Sequence, residues 1–161
     1  MYLQFFEPHP ALKEIVNNIM ISQIDFDPLQ PKPSFPFPPL PEHCLFFYPY
    51  DCMEVEHLSG KGKEKQGSSI VVGPQTERLT ITMGYHHLVI KVGFQPGGLY
   101  RLLGIPMQEL LRNKAFEASD FLGNEINEVN EQLKSAASFA EMKGMVENYL
   151  LKKIFCSRVI L

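Results

Sequence analysis

Residues 69–104 constrain the fold more than any other stretch of the chain. Segments 79–83 (LTITM) and 88–94 (LVIKVGF) both place an apolar side chain at every second position. This two-residue period is typical of a strand with one buried face. The QPGG sequence at 95–98 then ends the second strand, because proline lacks a backbone donor and glycine tolerates positive φ. The stretch predicts a strand meander that passes into a helix, and it contains no evident catalytic constellation.

Composition places the chain among ordinary globular proteins. Its 161 residues are 45% hydrophobic and 20% charged, which favours one domain with a substantial core. A net charge of −3 argues against nucleic-acid binding by this chain alone. The N-terminus has no secretory-signal pattern, and no window approaches the ~18 apolar residues of a membrane helix. These features predict a cytoplasmic protein.

The three cysteines, Cys44, Cys52 and Cys156, are an odd number without paired spacing. We interpret them as free thiols in a reducing compartment, with a disulfide between the first two as the alternative.

Strand patterns occupy the first two thirds of the chain. A proline-initiated helical turn is predicted at 10–14, and strands at 15–26, 43–48 and 53–58. Prolines recur every two or three positions across 28–41, which predicts polyproline II or an irregular crossing and no place in a ladder. Residues 59–69 (SGKGKEKQGSS) predict a flexible loop at a solvated hairpin tip.

Helical spacing takes over after Gly98. Apolar positions predict a short helix at 99–103 that Gly104 stops, a second helix starting at Pro106, and a third over 124–134. A capping box at 138–141 begins the last helix. Strands first and helices last predict an α+β domain.

Histidines and carboxylates supply the candidate chemistry. His86 and His87 are adjacent, so on a strand they point to opposite faces and cannot chelate one metal together. Glu54 and Glu56 share a strand face, but a solvated face is the simpler interpretation. Arg101, one turn into the helix after the glycine pair, leaves an anion site as an alternative to a plain turn.

Aromatic side chains suggest a cavity for a small ligand, although the same residues would also fill a small barrel. The candidate ligand-binding residues are His43, Phe47, Tyr48, His57, Tyr85, His86 and Arg101. Three- and four-residue spacing in the last helix provides candidate dimerisation residues: Phe139, Met142, Val146 and Tyr149.

Two stretches carry a family resemblance: 72–76 (VGPQT) and 89–104 (VIKVGFQPGGLYRLLG). Together with 10–16 and the acidic helix at 125–133, they resemble the N-terminal domain of AraC-type bacterial transcription regulators. The resemblance implies a cupin-like β-barrel of the double-stranded β-helix type over 1–104, followed by C-terminal helices over 105–161. It also implies a regulatory domain that senses a ligand or dimerises.

In that family a pair of helix-turn-helix motifs follows and binds DNA, and we expect this chain to lack that half. The expected partners are an unidentified small-molecule effector and a second copy bound through the C-terminal helices, with no cofactor and no enzymatic activity. Two alternatives stay open. One is a small metal-dependent cupin enzyme that uses His43, His57 and either His86 or His87. The other is a free-standing interaction module that pairs with a full-length regulator.

Overall fold

Two antiparallel sheets and a helical layer make up the domain. The computed structural model describes residues 1–60, 62–111 and 113–159. Its strands are β1 (Tyr2–Phe6), β2 (Val16–Asp25), β3 (Ser34–Phe37), β4 (Cys44–Phe47), β5 (Glu54–His57), β6 (Lys63–Lys65), β7 (Ser69–Val72), β8 (Leu79–Thr82), β9 (His86–Phe94) and β10 (Ala115–Glu117). Its α-helices are α1 (Gly98–Leu103), α2 (Ser119–Leu122), α3 (Glu125–Gln132) and α4 (Phe139–Val159). Short 3₁₀ turns lie at Pro10–Leu12, Met107–Leu110 and Leu133–Ser135.

The strands divide between a large sheet and a small one. The six-stranded sheet has the order β1-β2-β9-β4-β7-β10, and the four-stranded sheet has the order β3-β8-β5-β6. At the centre of the large sheet, Leu45 of β4 is paired with Val92 of β9 and with Val71 of β7. This register places the three side chains on one face of the large sheet.

That face packs against the helices. Alternate residues of the strands, among them Ile19, Leu45 and Val92, join Ile126 and Val146 of the helices in one core, and each of these five is fully buried. The intervening residues of the same strands point the other way, toward the small sheet. The alternation of side chains along a strand therefore gives the large sheet two apolar faces with different neighbours.

Local sequence explains where the helical layer begins. Gly97 and Gly104 flank α1 with φ values of 75° and 69°, a left-handed conformation that favours glycine. The N–H of Gly104 closes the helix on the carbonyl of Tyr100 at 2.7 Å. At the start of α4, the Ser138 hydroxyl accepts a hydrogen bond from the N–H of Glu141, as the capping pattern predicted.

The α+β class, with strands first and helices last, is confirmed. The predicted strands at 15–26, 43–48, 53–58, 79–83 and 88–94 are present, as are the helices at 99–103, 124–134 and after Ser138. The expected cupin-like barrel takes the form of two facing antiparallel sheets, and no ladder joins them among the described strands. The boundary expected at residue 104 stays a prediction, although β10 lies beyond it and pairs with β7.

The proline-rich segment was wrongly excluded from the sheets. Residues Ser34–Phe37 form β3, with Pro36 opposite Thr80 of β8. The N–H of Met83 donates to the carbonyl of Pro33, so in the antiparallel alternation Pro36 occupies a position whose N–H would face away from β8. Because β3 is an edge strand, the missing donor costs no ladder bond.

The lysine-rich segment also contributes a strand. Lys63–Lys65 forms β6, which pairs with β5 and closes a hairpin over part of the predicted loop. All three β6 residues are exposed, so pairing and not burial orders them.

The three cysteines are free, as interpreted from their spacing. Among the described residues, every helix is too short or too polar to span a bilayer.

Candidate functional site: a cavity between the two sheets

A cavity of about 190 Å³ lies between the large and small sheets. Its walls are mainly apolar side chains from the inward face of each sheet. The large sheet contributes Met20, Cys44, Phe46, Ile70, Val72, His87, Val89 and Ala115, and Tyr48 follows directly after β4. The small sheet contributes Phe35, Phe37, Val55, His57, Leu79 and Ile81, and loops add Leu40, Glu42, Met53, Gln66, Gly73, Gln75, Met83, Asn113 and Lys114.

Strand alternation positions these side chains. On β4, Cys44 and Phe46 face the cavity while Leu45 and Phe47 belong to the core against the helices. On β9, His87 and Val89 face the cavity in the same way. The cavity wall is therefore built on strands whose opposite face is held by the helical core.

One end of the cavity carries two buried polar side chains. Tyr48 is 1% exposed and His87 is 2% exposed, and their ring centroids lie 6.2 Å apart. The Tyr48 hydroxyl and the His87 Nδ1 have no hydrogen-bond partner within the part of the chain that the structure describes. Such orphaned groups are rare in folded proteins, because each one has lost its hydrogen bonds to water.

Burial keeps both groups neutral. It raises the pKa of Tyr48 well above its ordinary value. Burial also lowers the pKa of His87, and the nearby Asp51 carboxylate opposes that shift only in part. This end of the cavity is consequently polar without being charged.

The lining also includes a carboxylate that is ion-paired and a thiol that stays protonated. The Lys91 Nζ lies 2.6 Å from a carboxylate oxygen of Glu42, so each charge there has a partner. Burial, with a smaller contribution from Glu42, raises the pKa of the Cys44 thiol to about 12. With this raised pKa, the Cys44 thiol is not a nucleophile at neutral pH. Nearby, the buried Gln75 side chain donates to the Gly73 carbonyl at 3.0 Å.

A hydrogen bond links the cavity wall to the helices. Asn130 of α3 is 2% exposed, and its side-chain amide donates to the backbone carbonyl of Tyr48 at 3.3 Å. The residue that presents its ring to the cavity is thus held by its backbone to the helical layer.

Two of the predicted ligand-binding residues, Tyr48 and His57, line the cavity. Phe47 does not, because it is fully buried on the opposite face of the large sheet. His43 lies outside the lining, where burial lowers its pKa. Neighbouring residues on a strand face opposite sides, which places Phe47 away from the cavity that Phe46 lines.

The remaining candidates, Tyr85, His86 and Arg101, lie outside the lining of this cavity. His86 pairs with Asp25, and its ring lies tilted against the ring of Tyr50 with the two centroids 4.1 Å apart. The Tyr85 hydroxyl donates to the carbonyl of Gln30. Arg101 pairs with Glu14 at 3.2 Å, so its charge is already neutralised beside the glycine turn.

The candidate dimerisation residues are part of the chain's own core. Met142, Val146 and Tyr149 are at most 7% exposed, and the partly buried Phe139 packs against the same cluster. Their helical spacing is that of a helix docked on its own sheet, and their role in a surface between two copies stays a prediction. Homodimerisation itself stays a prediction.

The histidines of the metal-enzyme alternative are not brought together. His57 and His87 line the cavity, whereas His43 and His86 do not. In residues 1–60, 62–111 and 113–159, no three His, Cys, Asp or Glu side chains are arranged to hold a metal ion.

Sequence reasoning missed several lining residues. Met20 lies in a strand with polar neighbours, and Gln66 and Ala115 lie in segments taken as a loop and a helical region. His87 carried a usable signal: if Leu88, Ile90 and Val92 face the core, alternation places His87 on the opposite face with Val89.

Comparison with known proteins now gives a family. The chain belongs to the family described as Domain of unknown function (DUF6597), whose model matches residues 4–116. Comparison with curated proteins gives no match.

Among solved structures, the chain is similar to the AraC-like transcriptional activator CuxR, with 14% sequence identity and a TM-score of 0.46. It is also similar to the apo form of a ToxT variant from Vibrio cholerae, with 7% identity and a TM-score of 0.42. The matches cover 92% and 88% of this chain, which spans 61% and 55% of those two chains.

Proposed function

We propose that this chain is a regulatory domain of an AraC-type transcription regulator in the cytoplasm, and that it binds a small effector in the cavity between its sheets. The carrying observation is the cavity itself: about 190 Å³ of mainly apolar space beside the packed core on the other face of the large sheet. Protein interiors are close-packed, so unfilled space on this scale favours a ligand site over a simple packing defect. The sequence resemblance supplies the class of protein.

The chemistry of the lining supports binding over catalysis. Its thiol is held protonated, its glutamate is paired with a lysine, and its buried histidine is kept neutral by burial. These are groups that contact and orient a ligand. A nucleophile would need an adjacent base, and Cys44 has the carboxylate of Glu42 at a long 3.8 Å together with a strongly raised pKa.

The hydrogen bond from Asn130 to Tyr48 supports a route for the signal. A ligand that moves the Tyr48 ring also moves a strand end that α3 holds. In this proposal the free domain populates two arrangements of α3 against the large sheet, and the effector favours one of them. A DNA-binding domain attached to the helical layer would respond to that shift.

A thermal-shift screen with a matched pair of variants tests the proposal. Ala115 lines the cavity on β10, and Ala115→Phe would place a ring in the cavity. Ala140→Phe makes the same change on the exposed surface of α4. Sugars, organic acids and aromatic metabolites are screened against all three proteins.

We expect at least one compound to stabilise the wild-type chain and Ala140→Phe but not Ala115→Phe. An effector at one hundred times its Kd stabilises by about 2.7 kcal/mol, which is readily measured. Stabilisation that survives in Ala115→Phe would move the binding site elsewhere, and the absence of any stabilising compound would contradict a sensing role.

A further inference from the structure

We propose that the cavity takes a neutral, mainly apolar molecule with the bulk of one or two rings and one hydroxyl-like group, held at the Tyr48–His87 end. This inference rests on the proposed function, because it specifies the chemistry of the effector. It comes from three observations: the volume of the cavity, the two orphaned polar atoms, and the mainly apolar lining of the cavity.

Volume sets the size of the ligand. An enclosed apolar cavity of ~150 Å³ is sufficient to hold a benzene molecule. The present cavity, at about 190 Å³, exceeds that by the volume of a few additional atoms. The aromatic rings of Phe35, Phe37 and Phe46 line it, and such walls favour offset or edge-on packing with another ring.

The orphaned atoms set the polar chemistry. The Tyr48 hydroxyl both donates and accepts, and the His87 Nδ1 does one or the other according to its tautomer. A ligand hydroxyl has one donor and two acceptor lone pairs, so it matches either tautomer. The two rings lie 6.2 Å apart in the cavity wall, and both orphaned atoms are themselves sealed, so a ligand hydroxyl reaches them only after a shift of the rings. One polar substituent is therefore what this end can satisfy.

Charge at this end is unfavourable. A buried carboxylate or ammonium needs a partner of opposite charge, and here the neighbours are a neutral phenol and a neutral imidazole. The ammonium of Lys91 is already paired with Glu42. Lys114, on the exposed margin, lies over the ring of Phe116 at 4.8 Å. An anionic ligand thus gains no buried counter-charge from these lysines.

Three probes of one shape separate the contributions: 4-ethylphenol, ethylbenzene and 4-ethylbenzoate, titrated at pH 8 by calorimetry and by NMR shift. The first is neutral with a hydroxyl, the second lacks a polar group, and the third is an anion. We expect 4-ethylphenol to bind roughly fivefold to tenfold more tightly than ethylbenzene, the gain of one or two buried hydrogen bonds. We expect 4-ethylbenzoate to bind most weakly.

Two tyrosine variants locate the effect. Tyr48→Phe removes the orphaned hydroxyl in the cavity, and we expect it to reduce the preference for the phenol over the hydrocarbon to less than about twofold. Tyr149→Phe is the matched control, because Tyr149 is also buried with an unpartnered hydroxyl but belongs to the helical core. We expect this control to keep the wild-type preference.

The outcomes separate this inference from the proposed function. Tightest binding of the benzoate, or equal binding of phenol and hydrocarbon, overturns the neutral hydroxyl-like ligand while a cavity binder remains. A preference that persists in Tyr48→Phe also overturns the assigned position. If none of the three probes binds and the wider screen finds no ligand, both the inference and the sensing role fail. The wild-type ratio decides the ligand class even if Tyr48→Phe does not fold.

Discussion

The two faces of the six-stranded sheet are built from the same strands but differ in packing. On one face, residues such as Leu45 and Phe47 are fully buried against the helices. On the other, Cys44 and Phe46 border a cavity of about 190 Å³. Close packing on the first face stabilises the fold, whereas the second face borders empty space. The packed core and the cavity are thus separated by one residue along a strand.

Adjacent phenylalanines on β4 give the largest expected difference. Phe47→Ala should destabilise the protein by about 3–5 kcal/mol, because it leaves a void in a close-packed core. Phe46→Ala should cost only about 1–2 kcal/mol, since its ring is partly exposed and already borders empty space. Urea unfolding monitored by circular dichroism measures both values.

The Phe46 variant is the control for the Phe47 variant, as the two changes remove the same ring. Equal losses of stability would mean that the cavity face is as tightly packed as the helical face, and the contrast between the faces would be lost.

A smaller loss of stability is expected when the hydrogen bond between α3 and the cavity wall is removed. Asn130→Ala removes the donor to the Tyr48 carbonyl and should cost about 1–2 kcal/mol. It should also speed hydrogen exchange at the Tyr48 amide, which donates to the Ser68 carbonyl at 2.7 Å. Unfolding and exchange measurements on the same sample check both expectations.

Asn127→Ala is the matched control, because Asn127 lies on the exposed side of the same helix. Its effect should stay within about 0.5 kcal/mol. If the Tyr48 amide also exchanges faster in the control, then α3 as a whole, and not this hydrogen bond, stabilises the cavity wall.

The smallest expected effect is a pH dependence of the free energy of unfolding, and it arises from His87 on the cavity side of the large sheet. Burial lowers the pKa of His87 in the folded chain below 6.5, so the unfolded chain binds the proton more readily. Above pH 6.5, the neutral His87 contributes fully to the free energy of unfolding. That contribution decreases as the pH falls from 6.5 toward the lower pKa of His87 in the folded chain.

His87→Gln should therefore flatten the fall in stability between pH 7.5 and pH 5.5, measured by unfolding at each pH. His43, whose pKa is also lowered by burial, should preserve part of the slope. A variant with the slope of the wild type would show that His87 takes up its proton equally well in both states.

The sequence predicted the elements better than it predicted which side each residue faces. Alternation in 79–83 and 88–94 identified β8 and β9, because each segment differs in polarity between its two faces. The segment HCLFFY at 43–48 has apolar residues on both faces, so it has no two-residue period. That is why Phe47 was assigned to the pocket although Phe46 lines it: a strand buried on both faces does not reveal its orientation.

The cavity required long-range information. It forms where β3, β5 and β8 lie across from β4, β7 and β9, and no local pattern records which sheet each strand joins. The helical spacing of Met142 and Val146 correctly predicted that this face of the helix is buried. Spacing alone does not distinguish a helix docked on its own sheet from one docked on a second copy.

The prolines around β3 have a consequence for aggregation. β3 forms one wall of the cavity and one edge of the small sheet, and an open edge can recruit a strand of another molecule. Pro36 leaves its outward position without a donor, and Pro38 and Pro39 follow directly. The edge of the small sheet therefore does not offer neighbouring molecules a complete row of backbone donors.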